Sequence, residues 1–173
     1  DVPSGFTVAF QTDGSPGTSL TGTTPQTIAY NGSGTAVTAV PSACYRFVNW
    51  TGIGGFSSSA SNPLTVGGVV SDMVITANFT IKTYALSYLA GANGYIAGST
   101  LQVVDCGSSG TAVTATGNPG SSYSFLNWSD GSLANPRTDT NVTANLQATA
   151  YFATLEAEPN NSFAQATFVS GPG

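Results

Sequence analysis

Few residues in this chain have side chains able to do chemistry. It carries eight carboxylates, three cations, two cysteines and no histidine. General acid–base catalysis needs a group that titrates near working pH, usually His or a carboxylate tuned by its surroundings. Without His, the Ser-His and Cys-His nucleophile pairs are unavailable. The carboxylates are Asp1, Asp13, Asp72, Asp105, Asp130, Asp139, Glu156 and Glu158. Most of them stand in turn contexts, where Asp serves the local backbone. Asp130 and Asp139 are the pair to weigh for paired-carboxylate hydrolysis, and turn chemistry outweighs that reading. No residue is assigned a catalytic role.

Metal and ligand chemistry is similarly thin. Zinc needs four good ligands, and two Cys without His cannot supply them. Calcium needs six or more oxygens. Asp130, Asp139 and Thr140 are the nearest candidates, but no dense Asp motif surrounds them, so neither a metal nor a cofactor is expected. Cys44 and Cys106 have two readings: a disulfide, which an oxidising compartment permits, or two separate buried thiols. Trp50 and Trp128 are of the type that stacks on sugar rings, yet each follows an apolar Phe-x-Asn stretch and reads as a core aromatic. Tyr95, beside Asn93-Gly94, is a better surface candidate for ligand contact. Lys82 invites a Lys–Asn isopeptide crosslink, set against the simpler reading of a solvated joint residue.

Charge narrows the partners. Only 6% of residues are charged and the formal net charge is −5. Arg46, Lys82 and Arg137 are too scattered to form the basic footprint that nucleic acid demands. Anionic membrane surfaces would repel the chain, and no stretch approaches the roughly 20 apolar residues of a spanning helix. At 40% hydrophobic residues, with abundant Thr, Val, Gly and Asn, the composition is that of an exported β-protein. Low charge with many aromatics argues against disorder. An opening at Asp1 without Met and an end on Gly171-Pro172-Gly173 read as an excised piece of something longer.

The elements that position these residues come in two copies. Gly34 to Ala39 (GTAVTA) recurs as Gly110 to Ala115, Asn49-Trp50 as Asn127-Trp128, and Asn62-Pro63 as Asn135-Pro136. Phe6, Val8 and Phe10 are matched by Tyr84, Leu86 and Tyr88, and Thr76 to Phe79 by Thr149 to Phe152. The offsets drift between 73 and 78, with insertions falling in Gly/Ser-rich loops that tolerate them. Residues 1–5 are then a lead-in, 6–80 repeat one, 81–83 a short joint, 84–154 repeat two, and 155–173 a tail that begins a further domain. A joint this short predicts restricted motion and a rod. A Cys44–Cys106 disulfide would tie the repeats together.

Alternation of period 2 predicts strands throughout. Met73, Ile75, Ala77 and Phe79 share one face, as do Leu146, Ala148, Ala150 and Phe152. Asp13-Gly14, Asn31-Gly32, Asn93-Gly94 and Asp130-Gly131 are turn signals. The predicted class is mainly β: two tandem small β-rich modules with little or no helix. The helical candidates are one short turn per repeat near Asn62-Pro63 or Asn135-Pro136, and a capped turn within Asn160 to Thr167.

These residues resemble the divergent internalin-type B repeat of large bacterial surface proteins. Repeat two carries the pattern best, in Tyr84 to Tyr88, Ala90 to Gly94, Gly110 to Ala115, Asn127 to Gly131, Asn135 to Thr140 and Thr149 to Ala153. Repeat one departs from it at Thr51 to Gly54. The resemblance implies a β-grasp-like module used in tandem outside the cell as stalk, spacer or adhesive element. Glu156 to Thr167 resembles the opening of a bacterial pre-peptidase C-terminal domain. The expected role is a non-catalytic stalk or spacer at the cell surface or outside the cell, with other domains of the same protein as partners. Adhesion to glycan or matrix protein, and self-association into a filament through strand edges, are the alternatives.

Overall fold

The computed structural model describes residues 4–154, and among them there is no helix. The short strands pair mostly with strands far away in sequence, so backbone donors and acceptors are satisfied across the sheets rather than locally.

Repeat one contains β1 (Phe6–Thr12), β2 (Ser19–Thr21), β3 (Gln26–Ile28), β4 (Gly32–Ser33), β5 (Thr38–Val40), β6 (Tyr45–Ile53), β7 (Ser58–Ser59), β8 (Gly67–Val69) and β9 (Met73–Ile81). Its main sheet runs β3-β1-β9-β6-β7, with β2-β5 and β4-β8 as small ribbons. Repeat two contains β10 (Thr83–Ala90), β11 (Gly94–Ala97), β12 (Leu101–Asp105), β13 (Thr114–Gly117), β14 (Tyr123–Trp128) and β15 (Leu146–Thr154). Its main sheet runs β12-β10-β15-β14, with β11-β13 as a ribbon. In both, the first strand lies parallel to the last: β1 to β9 and β10 to β15. The last strand also pairs antiparallel with β6 or β14, each with a bulge before the Asn-Trp pair.

Alternation places the inward residues. Val8, Phe10, Val37, Ala39, Trp50, Ile75 and Ala77 are buried in repeat one. Leu86, Tyr88, Val113, Ala115, Trp128, Ala148 and Ala150 are buried at the matching positions of repeat two. The turn signals fall where the backbone turns left-handed, at Asn31 (φ 58°) and Asn93 (φ 72°). Asn tolerates that region better than most residues. Gly22 and Gly98 are a further matched pair, with φ of 113° and 104°. A side chain at either would sit 2.7 or 2.9 Å from the carbonyl oxygen of Ala36 or Ala112, so glycine is required there on two counts.

The bends at Asn62-Pro63 and Asn135-Pro136, where the sequence allows a helical turn, are not helical. Each Asn side chain instead takes the place of a strand partner. The Asn62 amide donates to the Ala39 carbonyl (2.8 Å) and accepts from its N–H (2.8 Å). Asn135 does the same to Ala115, at 2.8 and 2.9 Å. The Asn160 to Thr167 candidate lies outside the described residues.

Two compact units form, each including segments remote in sequence. One is Asp1–Ala85 with Val103–Gly110 and Thr140–Asn145; the other is Leu86–Gln102, Thr111–Asp139 and Leu146–Gly173. Within the first, the Lys82 N–H donates to the Cys44 carbonyl and the Lys82 carbonyl accepts from the Cys106 N–H, both at 2.8 Å. Gly107 N–H to Val142 O (2.8 Å) and Val142 N–H to Ser108 O (3.0 Å) bind the 103–110 and 140–145 segments to each other.

Candidate functional site

The densest group of polar side chains lies inside repeat two, around Arg137. The Arg137 backbone forms an isolated bridge to Val113, which turns its side chain into the core, where the residue is 4% exposed. Its guanidinium meets two carboxylates. Nη1 and Nη2 donate to Asp130 Oδ1 and Oδ2 at 3.0 and 2.7 Å. Nη2 and Nε donate to Asp139 Oδ1 and Oδ2 at 2.7 and 2.8 Å. Asp139 Oδ2 also accepts from the Tyr88 hydroxyl at 2.7 Å. The guanidinium carbon lies 5.2 Å from the Trp128 ring centroid, within cation–π range.

The electrostatics follow from this geometry. Hydrogen bonds from Arg137 hold Asp130 and Asp139 below the usual carboxylate range, against some desolvation. The hydrogen bonds to Asp139 chiefly raise Arg137, against its own desolvation. Burial pushes the Tyr88 phenol up, and its bond to Asp139 adds to that. Paired in this way, the carboxylates are acceptors already occupied by a cation rather than free bases. Among the described residues no buried side-chain polar atom lacks a partner. The set is suited to holding this part of the module together, with the Asp130 side chain 47% exposed at its outer edge.

Repeat one fills the same space with apolar side chains. Leu64 forms the equivalent bridge, to Val37. Phe10, Leu64 and Val66 stand where repeat two has Tyr88, Arg137 and Asp139, and all three are buried. The aromatic geometry is kept, with Phe10–Trp50 and Tyr88–Trp128 both edge-to-face at 5.7 and 5.9 Å. Sequence reasoning treated Asp130 and Asp139 as turn residues and Arg137 as a scattered cation. A position that is Leu in one copy and Arg in the other was the available signal.

A second device occurs in both copies. The Gln26 amide accepts from the Thr35 N–H (2.7 Å) and donates to the Thr35 and Thr23 carbonyls (2.9 Å each). Gln102 repeats the pattern on Thr111 and Ser99 at 2.7, 3.0 and 2.9 Å. This buried pair was also missed, although Gln26 and Gln102 precede the same GTAVTA element by equal distances.

The other sequence candidates are distributed as follows. Trp50 and Trp128 are fully buried, and their indole N–H groups donate to Ser61 and Ala134 carbonyls at 2.9 Å. They are therefore closed to a sugar. Tyr95 is not in a turn but in β11, opposite Thr116, and is 44% exposed. Thr140 follows Asp139 in sequence but falls in the first compact unit. Lys82 Nζ donates to the Ala43 carbonyl at 2.8 Å rather than to an Asn amide. Cys44 and Cys106 are joined, with Cα atoms 5.4 Å apart, across 62 residues of sequence.

The family description "Divergent InlB B-repeat domain" matches residues 7–83 and again 84–164. The chain belongs to that family, as two tandem copies. The second match covers part of 156–167, the segment the sequence likened to the opening of a pre-peptidase C-terminal domain; that domain is not shown, and the segment lies wholly outside the described residues. No curated protein matches. A solved structure of "Streptococcal High Identity Repeats in Tandem (SHIRT) domains 3-4 from cell surface protein" is 15% identical, with a TM-score of 0.32, covering 85% of this chain and 96% of that one. At that score the likeness is too loose to bear on fold or function.

Proposed function

We propose that this chain is a non-catalytic spacer: a pair of B repeats that holds other domains of a larger surface or secreted protein away from their anchor. The observation that carries this reading is how the core polar groups are used. Gln26, Gln102 and Arg137, the buried polar residues among those described, all bind backbone or side chains of their own module. A catalytic or ligand site needs some such groups left facing outward.

Adhesion is the second reading, and exposed aromatics favour it. Tyr95 and Tyr151 are 44% and 47% exposed, and sugars stack on such rings. A glycan-array and matrix-protein screen of the whole chain, with sedimentation to read its association state, separates the readings. The spacer reading expects no saturable binding and a monomer. Saturable binding abolished by Tyr95→Ala would replace it with adhesion, and discrete oligomers would replace it with filament assembly.

A further inference from the structure

In each repeat, the strand by which the chain enters and the strand by which it leaves are parallel neighbours. Val8 to Thr12 pair with Met73 to Ala77, residue for residue. Leu86 to Ala90 pair with Leu146 to Ala150 in the same way. Both ends of these ladders are extended by equivalent bonds. At the entry end, the Thr7 N–H donates to Asp72 Oδ1 (2.7 Å) and the Ala85 N–H to Asn145 Oδ1 (2.9 Å). At the far end, the Asp13 N–H donates to the Ala77 carbonyl (3.0 Å) and the Gly91 N–H to the Ala150 carbonyl (2.8 Å). Repeat one adds a bond from the Phe79 N–H to Asp13 Oδ2 at 2.8 Å.

This topology dictates how the module meets a pull along the chain. Tension enters β1 at Phe6 and leaves at the opposite end of the parallel ladder, beside Ile81, through the chain and, while it is closed, through the Cys44–Cys106 bridge next to Tyr45. The two strands can separate only by sliding, so all the evenly spaced rungs are loaded together. Val8, Phe10, Ile75 and Ala77 line the same ladder and are buried, so sliding also drags core side chains past one another. Had the terminal strands been antiparallel, the same pull would open the ladder one rung at a time.

We propose that each repeat is a tension-bearing module, its parallel terminal strands forming a shear clamp against force applied along the chain. The proposal rests on the spacer reading for its biological setting but not for its test. The test holds the whole chain by tags at its two ends in a single-molecule force experiment. A second geometry holds it by the N-terminal tag and a handle at the exposed Val70, which loads β1 and β9 from the same end and peels them. End-to-end pulling is expected to need about twice the peeling force or more, because forced unfolding reports the barrier along the loaded coordinate. Equal forces in the two geometries would overturn the clamp. Asp72→Ala, at an exposed position, removes the first rung that peeling meets but only one of the rungs that end-to-end pulling loads together, so it is expected to lower the peeling force by the larger fraction. An equal fractional loss in both geometries would mean that the rungs are not loaded together, and would also count against the clamp. The spacer reading is judged separately, by the binding screen.

Discussion

At the scale of single residues, the two repeats solve one packing problem with different chemistry. Leu64, Val66 and Phe10 are replaced by Arg137, Asp139 and Tyr88, around a Trp that does not change. Breaking a buried ion pair from one side leaves a charge in the core, which costs about 3–5 kcal/mol, whereas exchanging the whole set for apolar residues is often neutral or stabilising. In Arg137→Leu the carboxylate left behind with least access to water is Asp139, 18% exposed, while Asp130 is 47% exposed, so a loss at the lower end of that range, about 3 kcal/mol, is expected for repeat two in urea. The triple variant Tyr88→Phe, Arg137→Leu, Asp139→Val is expected to lie within about 1 kcal/mol of the parent or above it. A triple variant as unstable as the single one would refute the equivalence. Acid gives a second readout. Asp130 and Asp139 have folded-state pKa values below the unfolded value of about 3.9. Their contribution is thus complete above that pH and is lost as pH falls through the folded values. Repeat one retains Asp13, which desolvation pulls up but backbone bonds from Phe79 and Ser15 hold low. Hydrogen exchange at falling pH should show repeat two of the parent opening along this course, and the triple variant should lose that dependence.

At the scale of elements, side-chain amides do work that the sequence reports poorly. Asn62 and Asn135 each act as a one-residue strand partner, for Ala39 and Ala115. Asn135→Ala leaves both Ala115 backbone groups without that partner, and about 1–3 kcal/mol of destabilisation is expected in denaturant melts. Asn135→Asp keeps the shape and the acceptor but sets a carboxylate oxygen against the Ala115 carbonyl, so it should also destabilise if pairing matters, whereas packing alone would leave it near the parent. The strands themselves were legible, because alternation reads directly which residues face inward. The inward sets Val8–Phe10, Met73 to Phe79 and Leu86–Tyr88 follow from it. Strand order was not legible: the alternation of β1 and β9 is the same whether they run parallel or antiparallel, and their pairing joins residues far apart in the chain. The Asn-Pro dipeptides were read as possible helical turns because local signals carry turn chemistry but not the distant backbone that Asn62 or Asn135 engages. Likewise Asn93-Gly94 marks a turn, but only the pairing of β11 with β13 places Tyr95 on a strand.

At the scale of the whole chain, only Lys82 stands between β9 and β10, and its N–H and carbonyl bind the backbones of Cys44 and Cys106. The contribution of 103–110 and 140–145 to the first compact unit was not readable in the sequence, because it depends on tertiary pairing. The disulfide changes what happens after the clamps give way. Once β1 has slid free, extension can proceed only to Cys44, because the sulfur bridge carries the load straight on to Cys106. The stretch between them, a sequence separation of 62, is withheld from extension, a reserve of roughly 200 Å at full stretch. Pulling before and after reduction should therefore differ by about that length in total extension, and identical extensions would show that the cysteines are not paired. In an oxidising setting the protein would yield under overload yet stay short, and a reducing one would convert the same chain into a longer, softer leash.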